Sequence, residues 1–498
     1  MSGHGDMAVP TGRWRGDDFP SWLSPMLVRE LRQGVQSGGF AWTFVVLQGL
    51  MFLLMSWAVT NLGSNPGRGV SEVFNVFFWL IVGAVVAVVV PLRALTAVSS
   101  ERPGNNLDLV RLTRLSATRI ILGKWLAVVA QGGLVALAVM PYLVLRYFFG
   151  GVNVVRDLQA FGWVVAVSMV VAAWAVAVST LAAWARIAVS LACGVGVLFL
   201  WGLWMEGAVS RMLGFVSFET RLAILGLLGL YTVAFLEFAA ARIAPPAENH
   251  AVRKRGLALV VAMLWIGVGA WGTSSAALWT MAATMPLVVC WAVESLLESH
   301  SGVRSLYTGF ARLGGPGRVA AAVLSPGWAT GVPFLLVLFA WCLTGWIMAT
   351  VRFGSGSREL VGPTIGALVA ASLIFPLPFV VYLRHLRQGL LLYLLVELLC
   401  FMAFVFVHAM KPHGLAWATW DIGWVSLLPL PAGCLASYLA LVDDVSGRSL
   451  SPVFIVAAAV VSTVAILAVW VPLWREQRAI ARLVGEERRR LRSAGVSA

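Results

Sequence analysis

The sequence predicts an all-α protein, a polytopic bundle of transmembrane helices. Three observations lead there. Of 498 residues, 60% are hydrophobic and only 12% charged, against about 45–50% and about 25% in soluble domains. Mean hydropathy is +0.88. Apolar runs of the roughly 20 residues that a membrane span needs recur along the chain, with Lys and Arg gathered between them. The shortage of charge is the most telling: a soluble protein of this length needs a charged shell, and one surrounded by lipid does not.

The chain opens on MSGHGDMAVPTGRWRGDDFP, which is polar and has no apolar signal-peptide core. Residues 1–23 are therefore expected to be a polar cytoplasmic tail. PSWLSPMLVRELRQGVQSGG follows. On a helix, Leu23, Leu27, Leu31 and Val35 share one face, while Arg29, Arg32, Gln33 and Gln36 line another. That pattern predicts an elbow helix lying in the membrane interface, its arginines toward headgroups. Ser24-Pro25 is a good helix start and Gly38-Gly39 a plausible break before the membrane.

Candidate spans follow at 40–60, 73–98, 120–145, 159–184, 187–206 and 220–241, then at 256–273, 277–297, 330–351, 362–383, 389–409, 424–442 and 452–473. Six spans in the first half place Arg29 and Arg32, the Arg102–Lys124 connection, Arg186 and the Arg242–Arg255 connection on one side, as the positive-inside rule asks. The basic end, WREQRAIARLVGEERRRLRS, is expected on that cytoplasmic side too. Thirteen full spans would put it outside. The run 424–442, broken by Pro429, Pro431 and Gly433, is the one to demote. The expectation is about 12 spans, or 13 if 424–442 crosses, with both termini cytoplasmic in a multi-pass plasma-membrane protein. The domains expected are the tail 1–23, a six-span domain 24–245, a second membrane domain of about six spans 246–474, and a basic cytoplasmic tail 475–498.

Net charge is +14. With the basic residues between spans and in the tail, this fits topology and attraction to an anionic lipid bilayer rather than nucleic acid. Cys193, Cys290, Cys342, Cys400 and Cys434 all lie in apolar segments without a CxxC, so neither disulfides nor zinc follow. His408 and His413 flank Lys411-Pro412 with no third ligand nearby, and no metal is expected. No GxxxxGK[ST] occurs; Leu313–Arg318 is glycine-rich but lacks its Lys-Ser/Thr end. If ATP is used, a second chain binds it.

The connection 96–124 reads TAVSSERPGNNLDLVRLTRLSATRIILGK. It is too polar for a span and too long for a turn. After the turn cluster Pro103–Asn106 comes a short helical pattern in which Asp108 and Arg111 pair at (i, i+3). Its apolar residues Leu107, Leu109, Val110, Leu112 and Leu115 spread around the helix, which fits a segment covered by headgroups or a protein partner. Ser116 can cap the next span, and Lys124 can snorkel from its first turns.

This segment resembles the permeases of type-2 ABC transporters. There span two ends in a Ser-Ser-Glu-Arg-Glu type run, then Gly-Thr-Leu-Glu, Thr-Pro-Leu-Ser and Leu-Gly-Lys at the start of span three. Ser99, Ser100, Glu101 and Arg102 match, as do Leu107 and Asp108, then Thr113, Leu115 and Ser116, then Leu122, Gly123 and Lys124. Arg29, Glu30, Leu31 and Arg32 match the family's elbow core. Pro103 stands for the second acid, Asn105-Asn106 near the Gly-Thr, and Arg114 for the proline. The resemblance covers about residues 24–242.

It implies a transport subunit rather than an enzyme, an exporter permease whose coupling helix docks a separate ATP-binding subunit, which carries the ATP and Mg. Closure of the ATPase subunits must reach the spans through a rigid element fixed to spans two and three. Within 99–119, Glu101, Arg102, Asp108 and Arg111 are the expected polar contacts and Leu107 and Val110 the apolar anchor. The competing reading is a basic loop that only sets topology. A six-span permease of this kind implies a homodimer unless the second half is a repeat.

Two acids lie in apolar runs: Glu397 in YLLVELLCFM and Glu237 in AFLEFAA. An ionisable group at bilayer depth costs about 2.5–3.5 kcal/mol on insertion scales unless paired, protonated or facing water. Both are candidate functional acids, against the alternative of an interhelical hydrogen bond. Two other functions stay open: an ATP-independent secondary transporter, which Glu397 favours, and an enzyme on lipid-linked substrates, for which Asp443-Asp444 is the nearest acidic pair.

Overall fold

The computed structural model describes residues 25–64, 68–99, 116–148, 154–190, 218–245, 248–298, 303–352, 389, 392–393, 395 and 452–493. Its regular elements are all helical. Among the described residues, six helices are long and apolar enough to cross a membrane: 38–61, 73–96, 117–147, 157–179, 221–243 and 328–349. Each falls on an expected span. Helices also cover the expected spans 256–273 and 277–297, although the second has a shorter apolar stretch, 283–297. The expected spans 362–383 and 424–442, and nearly all of 187–206 and 389–409, lie outside the described residues.

The chain divides into two compact units, before and after Ser179. In the first, α1 (Pro25–Val35) turns at Gln36-Ser37 into α2 (Gly38–Ser64). Next, α3 (Arg68–Val82) continues through a π-helical stretch, Gly83–Val89, and the turn Val90–Leu92 into a 3-10 turn, Arg93–Thr96. Pro91 accounts for the widening: it offers no N–H to the carbonyl four residues back, and its ring crowds that carbonyl. Then come α4 (Ala117–Phe148) and α5 (Val154–Ser179). Leu47, Met51, Phe74, Phe78, Val86, Val135 and Val139 form the core of this unit. Trp42, Phe52, Leu53, Phe77 and Leu137 are exposed. Helices apolar on both faces are what a bilayer solvent selects.

The second unit holds α6 (Phe218–Ile243), α7 (His250–Trp271), α8 (Ser274–Leu297), α9 (Thr308–Arg312), α10 (Gly314–Leu324), α11 (Trp328–Arg352) and α12 (Pro452–Ser493). Between lipid-embedded helices there is little hydrophobic drive to associate, so close backbone approach matters. Glycines supply it here. A Cβ on Gly345 of α11 would lie 2.7 Å from the Trp265 carbonyl carbon of α7, and one on Gly331 2.3 Å from the Ser295 carbonyl oxygen of α8. Trp265 is fully buried at the first seam and donates its indole N–H to Thr284 at 2.7 Å.

Two prolines explain how α12 joins this unit. Pro326 and Pro333 offer no N–H to the carbonyls of Ala322 and Ala329, four residues earlier. The Gln477 amide of α12 donates to both, at 3.3 Å and 2.7 Å. A satellite core of Leu306, Tyr307, Phe310, Ala321, Ile480 and Val484 continues the packing past that point.

Candidate functional site

In the first unit the elbow motif and the start of span three meet. On α1, Arg29, Arg32, Gln33 and Gln36 are exposed, while Leu27, Leu31 and Val35 are partly covered. This is the two-faced pattern read from the sequence. Glu30 turns inward and accepts a hydrogen bond from the Lys124 ammonium at 3.0 Å. Lys124 is only 2% exposed. It does not reach out to water, as the sequence reading had it, because an inward acid stands beside it. One turn on, Gly34 leaves room for the Gln131 amide to lie against α1. The Ser37 hydroxyl donates to the Gly34 carbonyl at 2.6 Å and accepts from Arg93, whose guanidinium also lies over the Phe40 ring. The segment from α1 to the start of α2 is thus fastened to the end of the second membrane-length helix through Arg93 and to the start of the third through Lys124.

The expected coupling residues between those ends, Glu101, Arg102, Leu107, Asp108, Val110 and Arg111, lie outside the described residues, as does Glu397.

The polar contacts of α4 do not stop at Lys124. At 100° per residue, Lys124, Gln131, Tyr142 and Arg146 fall within about 60° of arc. Tyr142 donates to the Gln48 side chain of α2 at 2.6 Å. Arg146 donates to Asn75 of α3, pairs with Asp157 of α5 at 3.4 Å and lies over the rings of Phe78 and Trp79. One face of α4 therefore holds α1, α2, α3 and α5 by polar contacts in an otherwise apolar core.

The second unit carries a denser charge cluster. Arg253-Lys254-Arg255 reads as a topology signal in the sequence, yet Lys254 and Arg255 are buried, Arg255 at 1% exposure. Lys254 bridges Glu294 and Glu298 of α8, at 2.9 and 2.8 Å. Arg255 pairs with Glu298 at 2.9 Å and donates to the carbonyls of Val323 and Gly327 and to the Thr330 hydroxyl. Those acceptors surround the break between α10 and α11, where Gly327 takes a φ of 133° that favours glycine. Burial works against charge on Lys254, but the charges of Glu294 and Glu298 outweigh it and hold the ammonium pKa above its usual value. Burial likewise opposes ionisation of Glu298, and Lys254 and Arg255 overcome it, lowering its pKa. The sequence signal for this cluster was Glu294 and Glu298, four apart at the end of an apolar run.

Glu237, the candidate acid in AFLEFAA, is buried and 2.6 Å from His250 Nδ1. Glu248 lies 3.1 Å from the other ring nitrogen. Burial lowers the His250 pKa, but the bonds and charges of Glu237 and Glu248 more than reverse this, and it is raised. Among the described residues, no group of three or more His, Cys, Asp or Glu stands ready for a metal ion.

Comparison with protein-family models, with curated proteins and with solved structures finds no match to this chain.

Proposed function

We propose that this membrane protein is the permease subunit of a type-2 ABC exporter, drawing ATP hydrolysis from a separate chain. The observation that carries the reading is the buried Lys124–Glu30 pair. It joins two of the segments on which the resemblance rests, Arg29–Arg32 and Leu122–Lys124, close in sequence to where the 99–119 segment returns. A coupling element has to be held rigidly at both ends to move spans two and three together. In this reading α1 is the interfacial elbow and both termini are cytoplasmic. The chain crosses the plasma membrane about twelve times and works as a homodimer unless its second half is a repeat.

The test is co-purification with a chain carrying a phosphate-binding loop, followed by ATP-driven transport in proteoliposomes. Glu101→Lys is expected to abolish coupled transport. ATPase pairing and activity that survive deletion of 101–111 would sink the proposal. The buried Glu237–His250 pair at the end of a span favours a second reading, an ATP-independent carrier. A requirement for an ion gradient with no dependence on ATP selects it.

A further inference from the structure

The end of the second unit is built as a stalk. At 1.5 Å per residue, the 42 residues of α12 span about 63 Å, twice the roughly 30 Å of a hydrocarbon core. Gln477 marks where it leaves the apolar region, since it bonds Ala329 in the first turn of the membrane-length segment 328–349. From there α12 runs about 24 Å further, to Ser493. Along that length Thr308 meets Glu487 at 3.4 Å, Arg304 meets Glu486 at 3.7 Å, and Gly314, at the start of α10, lies against Arg488. So α10 returns along α12 from its outer part to the Gln477 level.

One face of the stalk is packed and the other is not. Ile480 and Val484 are buried against α9 and α10. Arg475, Arg478, Arg482, Arg489 and Arg492 are all exposed. At 100° per residue they share about 100° of arc on the side away from Ile480 and Val484, along about 26 Å of helix. Leu313 and Val319, 60% and 70% exposed, stand on the same stalk.

We infer that this arginine face is a docking surface for an acidic face of the soluble ATPase subunit, a second contact besides the 99–119 segment. The inference rests on the permease reading above. The surface is too long for lipid alone: headgroups reach Arg475, Arg478 and Arg482, but Arg489 and Arg492, about 18 and 22 Å past Gln477, lie beyond the roughly 8 Å over which salt leaves such attraction effective. Exposed Glu486 borders the arc on the Arg475 side, which disfavours a polyphosphate chain. Arginine is enriched at protein interfaces, where lysine is depleted. The stalk is rooted by Gln477 and Arg255 at the α10–α11 break, so force on it is delivered to α7, α8 and α11.

The experiment uses the full-length chain in nanodiscs with its co-purifying ATPase subunit. Arg475→Glu/Arg482→Glu/Arg489→Glu is expected to weaken ATPase binding about 10–100-fold, with unchanged thermal stability of the membrane subunit. The triple Arg→Lys variant retains binding, and raising salt weakens the wild type more than the Glu variant. ATPase affinity unchanged in the Glu variant overturns the inference and leaves the permease reading standing. So does an effect confined to retention of anionic lipid or of an RNA oligonucleotide. If no ATPase subunit associates with the wild type at all, both fall.

Discussion

Lys124 and Glu30, 94 residues apart in sequence, are 3.0 Å apart in the fold, and the lysine is almost wholly buried. Breaking a buried pair by removing one partner leaves a charge without compensation and costs about 3–5 kcal/mol. Glu30 keeps some access to solvent, so Lys124→Met is expected to cost about 2–3 kcal/mol, toward the low end. The exchange Glu30→Lys/Lys124→Glu is expected to recover much of it. Thermal unfolding in detergent reads both. If the pair also roots the coupling element, the single variant loses ATP-driven transport before it loses fold.

Arg255→Met leaves Glu298 to Lys254 and takes a donor from the Val323 and Gly327 carbonyls, with an expected loss of about 1–3 kcal/mol. Adding Glu298→Met leaves Lys254 with Glu294 and should cost less than Glu298→Met does alone, because the Arg255 charge it would leave behind is already gone. A double-mutant cycle on unfolding midpoints measures the coupling. Strict additivity would show that the two groups do not act together.

Gln477→Leu leaves the Ala329 carbonyl, which Pro333 cannot serve, without a donor, and is expected to cost about 1–3 kcal/mol. The same substitution in a Pro333→Ala background should cost less, because the restored N–H can serve that carbonyl within α11. Equal costs in both backgrounds would refute this account of how α12 is anchored.

Gly345→Val places a side chain against the Trp265 backbone, and α7 and α11 must separate to admit it. The expected loss is about 1–3 kcal/mol. Disulfide trapping between cysteines placed along the two helices should slow in the variant. Gly256→Ala, which has open space at its Cβ, serves as the control.

His250 carries a raised pKa in the fold, so its bonds to Glu237 and Glu248 stabilise the protein fully below its unfolded pKa of about 6.5. That contribution is lost as pH rises through the higher folded value. The melting-temperature gap between wild type and His250→Gln is therefore expected to be widest at acidic pH and to narrow above neutrality. A gap that widens with rising pH would contradict the assignment.

The membrane class, the all-α fold and the places of the six membrane-length helices followed from the sequence alone. Each is set by local composition: some twenty apolar residues in a row have few alternatives to a lipid-embedded helix. The two faces of 25–35 were legible for the same reason, as a periodicity within one helix. What each charge faces was not legible. Lys254 and Arg255 look like topology signals in one dimension, and only packing showed them buried against Glu294 and Glu298, as it showed Arg146 against Asp157. The same holds for Lys124, whose partner lies on another helix, and for Gln477, whose partners are carbonyls freed by distant prolines. Sequence determined which segments bury themselves in lipid, because that is a balance each segment settles with its solvent. Tertiary structure decided which polar groups meet, because a buried charge is settled only by a partner from elsewhere in the chain.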